Sequence, residues 1–254
     1  MAAVRRLPAL LLLAAVLSAC GGGSSSGPDA TTARSATVAE SSARFTLLID
    51  AVVDGTTLQS SETGTIAFAK RLAHLYKLVP GGGTPQELIL KGPYTYTNAN
   101  VAAALKDRSV KPWTKLDTRR LSASDRTSHP DELAHVRALV YLPDGMERAT
   151  RIESTTVAGE RVTRFSGNVD PTRVVARTPA ADRRSIGVAL RNDYPAKPFP
   201  ATFWLDDAGR VRRVLVHYQT AEGTPIAIDG RFSGFGGGVD TRLPPAGSIQ
   251  NITP

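Results

Sequence analysis

From Arg44 the chain repeats its apolar residues at intervals of two: Phe45, Leu47, Ile49, Ala51 and Val53 fall on one face of an extended strand. A period of two directs that face into a core and commits the chain to building a sheet. Asp54-Gly55 supplies a hairpin turn, and a returning strand includes residues 63–69 with Ile66 and Phe68 on its apolar side. Further strand-like runs lie at 72–79, 87–90, 94–97 and 112–116, joined by Gly- and Pro-rich turns such as Pro80-Gly81-Gly82-Gly83.

The period then changes. Ser128 and Asp131 have capping spacing, Pro130 suits a first turn, and Leu133, Val136, Leu139 and Val140 form a helical stripe that Pro143-Asp144-Gly145 ends. Two strands follow at 147–157 and 160–169, turning at Ala158-Gly159. A discontinuous helical stretch is expected from Pro171 to Leu190, then strands at 201–206, 210–219 and 225–235. The order describes an α+β domain on a large antiparallel sheet, with helices covering one face. No internal repeat has a fixed period, and the tail from Leu243 is expected to lie along the surface or move freely.

Cys20 is the only cysteine, so the core must hold without a disulfide. It closes Leu17-Ser18-Ala19-Cys20 after a positive start at Arg5-Arg6 and an apolar stretch of 11 residues, 7–17. Spanning a bilayer takes about 20 apolar residues. The segment therefore fits a cleaved export signal over residues 1–19 and resembles a bacterial lipoprotein signal with its lipobox. That resemblance implies acyl chains, of the palmitate class, on Cys20 and an anchor at the extracytoplasmic face of the cell membrane. Residues 20–40, rich in Gly, Ser and Thr, are expected to be a flexible tether, and residues 41–250 the folded domain.

Removing the signal leaves 235 residues with 29 basic and 23 acidic side chains, a net charge of +6. The basic residues are scattered apart from Arg119-Arg120, Arg183-Arg184 and Arg212-Arg213, which reads as a solvated surface. An exported chain of this kind is not expected to meet nucleic acid.

Motifs for catalysis are scarce. His74, His129, His135 and His217 have no metal-ligand spacing, and no strand leads into a G-x-S-x-G elbow, since the sequence's match to that pattern, residues 23–27, falls in the Gly- and Ser-rich stretch. His135 is expected on the polar side of its helix. Asp206-Asp207 sits at a hairpin, where acids favour turn geometry. The expectation is a protein that is not an enzyme and takes no cofactor or metal. The apolar residues Phe45, Leu47, Ile49, Phe68, Tyr94, Leu133, Val136, Leu139, Val140, Phe165, Phe203, Tyr218 and Phe232 are candidates for lining a cavity. Core residues and pocket residues share the same chemistry, so both readings stand.

Several segments together resemble the LppX/LprAFG family of actinobacterial lipoproteins, whose fold is similar to the LolA and LolB lipoprotein carriers. They are Ser42-Ala43-Arg44-Phe45-Thr46, Lys111-Pro112-Trp113-Thr114-Lys115-Leu116, the run from Val157 through Gly159-Glu160 to Asp170, the run from Phe199 to Arg213, and Phe235-Gly236-Gly237-Gly238-Val239-Asp240 with Pro244-Pro245. The resemblance implies a curved antiparallel half-barrel with helices over its concave face, enclosing an apolar cavity. It further implies an envelope lipoprotein that binds acylated lipids or glycolipids, helps transfer them across the envelope and works beside a membrane transporter. The alternative is a non-enzymatic scaffold or sensor of the same fold with a filled core. Residues 98–110 and 182–197 do not align with the family pattern.

Overall fold

The computed structural model describes residues 28–81, 84–122, 125 and 131–253. The signal segment, Cys20, Ser128, His129 and Pro130 lie outside the described residues.

Twelve strands form one sheet: β1 (Ser42–Val53), β2 (Thr56–Ala67), β3 (Leu72–Leu78), β4 (Gln86–Lys91), β5 (Tyr94–Thr97), β6 (Trp113–Asp117), β7 (Met146–Val157), β8 (Glu160–Val169), β9 (Phe199–Asp206), β10 (Val211–Gln219), β11 (Pro225–Ser233) and β12 (Ile249–Asn251). Their spatial order is β12-β6-β5-β4-β3-β2-β1-β11-β10-β9-β8-β7. The edges β12 and β7 do not pair, so the sheet is an open half-barrel. Asp54-Gly55 and Ala158-Gly159 make the two expected hairpins, with φ of +50° and +75° in the first and +50° and +82° in the second. Positive φ at both positions matches the turn to the right-handed strand twist.

Five described helices accompany the sheet: α1 (Ala33–Ala39), α2 (Val101–Lys106), α3 (Glu132–Tyr141), α4 (Pro171–Arg177) and α5 (Ala180–Asp193). Asp131 caps α3, its side chain accepting from Ala134 N–H at 3.0 Å. The break expected in the second helical stretch falls at Thr178-Pro179, between α4 and α5. Proline at 179 starts a new helix but cannot continue the old one.

The expected face of β1 is buried at Phe45 and Leu47 and half-buried at Ile49 and Ala51, but Val53, at the strand's end beside the hairpin turn, is exposed. Phe45, Leu47, Ile66, Leu75, Phe203, Val214, Val216, Ile228 and Phe232 pack with Leu133, Val136, Leu139 and Val140 of α3 in one cluster. Two glycines permit close packing, Gly230 beneath α3 and Gly64 between β2 and β3. A Cβ on Gly230 of β11 would meet Leu139 Cδ1 at 3.0 Å, and one on Gly64 of β2 would meet the His74 carbonyl oxygen at 2.3 Å.

Three expectations change. The sheet is not wholly antiparallel, because β12 runs parallel to β6, with Ile249 opposite Trp113. The tail is thus tied down at its end: Ile252 N–H donates to Lys115 O at 3.0 Å, and Thr253 Oγ1 accepts from Asp117 N–H at 2.8 Å. Within the expected tether, residues 33–39 form α1, whose Ala33 and Thr37 are fully buried. Thr37 Oγ1 accepts from Val211 N–H at 2.8 Å, and Arg34 pairs with Asp144, so α1 belongs to the folded body.

Candidate functional site

The thirteen candidate lining residues separate into three groups. Phe45, Leu47, Phe68, Leu133, Val136, Leu139, Val140, Phe165, Phe203 and Phe232 lie within the core cluster. Ile49 and Tyr218 are partly buried and packed against it. Tyr94 stands apart, its ring beneath Lys115 Nζ at 4.2 Å and its hydroxyl accepting from Arg119 at 2.8 Å.

Polar groups interrupt that core beneath α3. Glu62 of β2 is opposite Leu47, which sets its side chain among inward-facing residues, and it is only 1% exposed. Lys77 Nζ stands 3.2 Å from Glu62 Oε1 and 2.5 Å from Glu132 Oε1 on α3. Neither Glu62 oxygen has an aligned hydrogen-bond donor. Burial, aided by Glu132, raises the Glu62 carboxyl above its ordinary range despite Lys77.

His135 is buried, not on a polar face, because α5 packs beside α3 and covers it. Its Nδ1 lies 2.9 Å from Asp193 Oδ2, while Nε2 has no partner. Burial pulls the imidazole down, but the hydrogen bond and charge of Asp193, with Glu62 and Glu132, outweigh it and leave the pKa raised. Tyr218 also donates to the Asp193 carbonyl. His74 instead faces Glu87, with Nε2 to Oε1 at 2.8 Å. No group of three or more His, Cys, Asp or Glu among the described residues is placed to hold a metal ion.

A cleft of about 570 Å³ opens between α3 and α5. Ala181, Arg184, Ser185, Val188 and Asn192 line it from one face of α5, at the three- and four-residue intervals that bring side chains together. Leu133, Ala134 and Arg137 line it from α3. The turns after β2, β4 and β6 close one end with Arg71, Gly92-Pro93 and Thr118-Arg119. Leu133 is the one lining candidate from the sequence that reaches this cleft.

Its ionic partners are mostly fixed. Asp182 joins Arg71 at 2.6 Å and Arg137 at 2.7 Å, and also accepts from Tyr141 at 2.7 Å. Burial lifts Asp182, but the hydrogen bonds from Arg137 and Tyr141 and the charge of Arg137 more than offset it and hold the carboxyl below its ordinary value. Burial raises Asp131 and also raises Tyr141, the latter to about 12 with help from Asp182. Sequence reading placed Arg119 and Arg184 in two of the arginine pairs that interrupt an otherwise scattered, solvated basic surface. Only the crossing of α3 and α5 over the strand turns brings them to one cleft.

No family model matches the chain, and no curated protein matches it. Among solved structures it is similar to LprF from Mycobacterium bovis, with 14% identity over 86% of this chain and 99% of that one, at a TM-score of 0.45. It is similar to the lipoprotein LppX from Mycobacterium tuberculosis, with 12% identity over 84% of this chain and 98% of that one, at a TM-score of 0.49. A LolA superfamily protein from Nitrosomonas europaea shares 11% identity over 84% of this chain and 92% of that one, at a TM-score of 0.32. LprF and LppX are lipoproteins of the family that the sequence segments resemble.

Proposed function

We propose that this protein is a membrane-anchored envelope lipoprotein that binds acylated lipids or glycolipids and helps move them across the envelope, without catalysing a reaction. The observation that carries this reading is the cleft between α3 and α5, where apolar Pro93, Leu133, Ala134, Ala181 and Val188 stand beside polar groups. Its volume is in the range of small-molecule sites. Acyl chains gain roughly 25 cal/mol for each Å² of apolar surface removed from water, so a carrier needs burial rather than chemistry. Leu133 joins this cleft to the apolar core, and parting α3 from the sheet is the route by which the other candidates would meet a chain. Acylated Cys20 holds the body at the membrane, and residues 21–32 connect it to α1. A membrane transporter is the partner this role calls for.

The packing of twelve candidates into or against one core favours a second reading, a scaffold or sensor with a filled interior. One experiment separates the two. Wild type and Cys20→Ala are fractionated, and the soluble variant, purified without detergent, is subjected to native mass spectrometry and lipid extraction. The expected result is wild type in membranes, the variant released, and lipid recovered with it or taken up when offered. A variant that neither carries nor takes up lipid returns the protein to the filled-core reading.

A further inference from the structure

Four guanidiniums line the cleft, from four separate segments: Arg71 after β2, Arg119 after β6, Arg137 in α3 and Arg184 in α5. Three carboxylates answer them: Asp131 in the lining, Asp182 on Arg71 and Arg137, and Asp117 on Arg119. Four against three leaves one positive charge. The surplus has a location. Arg184 has no ion pair among the described residues, and Arg137, 4% exposed, has an Nε with no hydrogen-bond partner. Leaving a buried charged donor unmet costs stability unless something else accepts from it. Apolar side chains of α3 and α5 stand beside these donors, so the cleft is amphiphilic in the way a lipid headgroup and its first methylenes are.

We propose that this cleft recognises the headgroup of an anionic amphiphile, specifically a phosphodiester carrying one negative charge, through Arg184 beside the guanidinium of Arg137, with Arg71 and Arg119 at its end. The proposal rests on the lipid-binding reading and specifies its ligand class. One net positive charge matches one phosphodiester. Donors arriving from separate elements suit the tetrahedral oxygens of phosphate better than the planar pair of a carboxylate, and guanidinium forks meet phosphate oxygens in charge-assisted bonds. The carboxylates already present hold Arg71, Arg119 and one end of Arg137 in place, so little side-chain order is lost on binding.

The test is calorimetric titration of the soluble Cys20→Ala protein with short-chain phosphatidylglycerol, with diacylglycerol of the same chains, and with inorganic phosphate. Phosphatidylglycerol is expected to bind at least about tenfold more tightly than diacylglycerol, and Arg184→Ala is expected to abolish that difference between the two lipids. Arg184 carries no ion pair, so its removal leaves the fold intact, which thermal denaturation verifies. Equal binding of both lipids, insensitive to Arg184→Ala, overturns the headgroup assignment and leaves lipid binding standing. Binding of neither lipid overturns both. Inorganic phosphate binding as tightly as phosphatidylglycerol, with the same dependence on Arg184, overturns the lipid source in favour of the free anion.

Discussion

Gly64 shows how one absent side chain shapes this interior. It sits between Phe45 on β1 and Leu75 on β3, and a Cβ there would fall 2.3 Å from the His74 carbonyl oxygen and 2.7 Å from Leu75 Cα. Both obstacles are backbone, which cannot rotate away as a side chain can. Gly64→Ala is therefore expected to destabilise the fold by about 3 kcal/mol, at the upper end of overpacking costs, read as a fall in the denaturant midpoint. The apolar alternation around Gly64 was legible in sequence, but the clash was not, because it involves a carbonyl on a neighbouring strand. Glu62 is similar: nothing local marks it as an inward-facing acid until the register of β1 and β2 sets it opposite Leu47.

At the scale of elements, α1 was the least legible. Its residues, Ala33-Arg34-Ser35-Ala36-Thr37-Val38-Ala39, have too little apolar bulk to announce a helix, and an isolated seven-residue helix is unstable in water. Docking supplies what propensity lacks. Thr37 Oγ1 donates to Ala33 O at 2.7 Å and accepts from Val211 N–H at 2.8 Å, while Arg34 reaches Asp144 and lies 5.4 Å from the Tyr141 ring centroid. Thr37→Val keeps the volume but strands the buried Val211 donor, and should cost about 2 kcal/mol, measured by chemical denaturation with the slope unchanged. β12 escaped sequence reading for a related reason. Three residues cannot show a period, and a parallel pairing with β6 is contributed by a partner distant in the chain.

The whole molecule carries two opposed sets of ionisable groups, which fix how its stability responds to pH. Glu62 is raised above 4.5 chiefly by burial, and His135 above 6.5 because Asp193, Glu62 and Glu132 outweigh its burial. Groups raised in the folded state bind protons more tightly there, so their contribution grows as pH falls and is complete below the unfolded value. Asp182 and Asp229 are held below 3.8, burial being outweighed by Arg137 and Tyr141 for the first and by Arg213 and Arg231 for the second. Their contribution is present above 3.8 and lost as pH falls through the folded values. Thermal denaturation across pH should show greatest stability between 3.8 and 4.5, with a decline at higher pH as first Glu62 and then His135 lose their protons. Glu62→Gln is expected to flatten that decline, since Lys77 keeps its contact with Glu132. An unaltered slope would mean that Glu62 stays ionised throughout.

Local sequence encodes the hairpins at Asp54-Gly55 and Ala158-Gly159, most strand positions, the apolar stripe of α3 and the break before α5. These depend on periodicity and local backbone preference, which neighbouring residues carry. Tertiary structure alone decided that the candidate lining residues pack together, that α1 and β12 are ordered parts of the body, and that Arg71, Arg119, Arg137 and Arg184 meet at one cleft. Each of those outcomes is a contact between segments far apart in the chain, whose geometry is set by sheet order and helix packing rather than by adjacent residues.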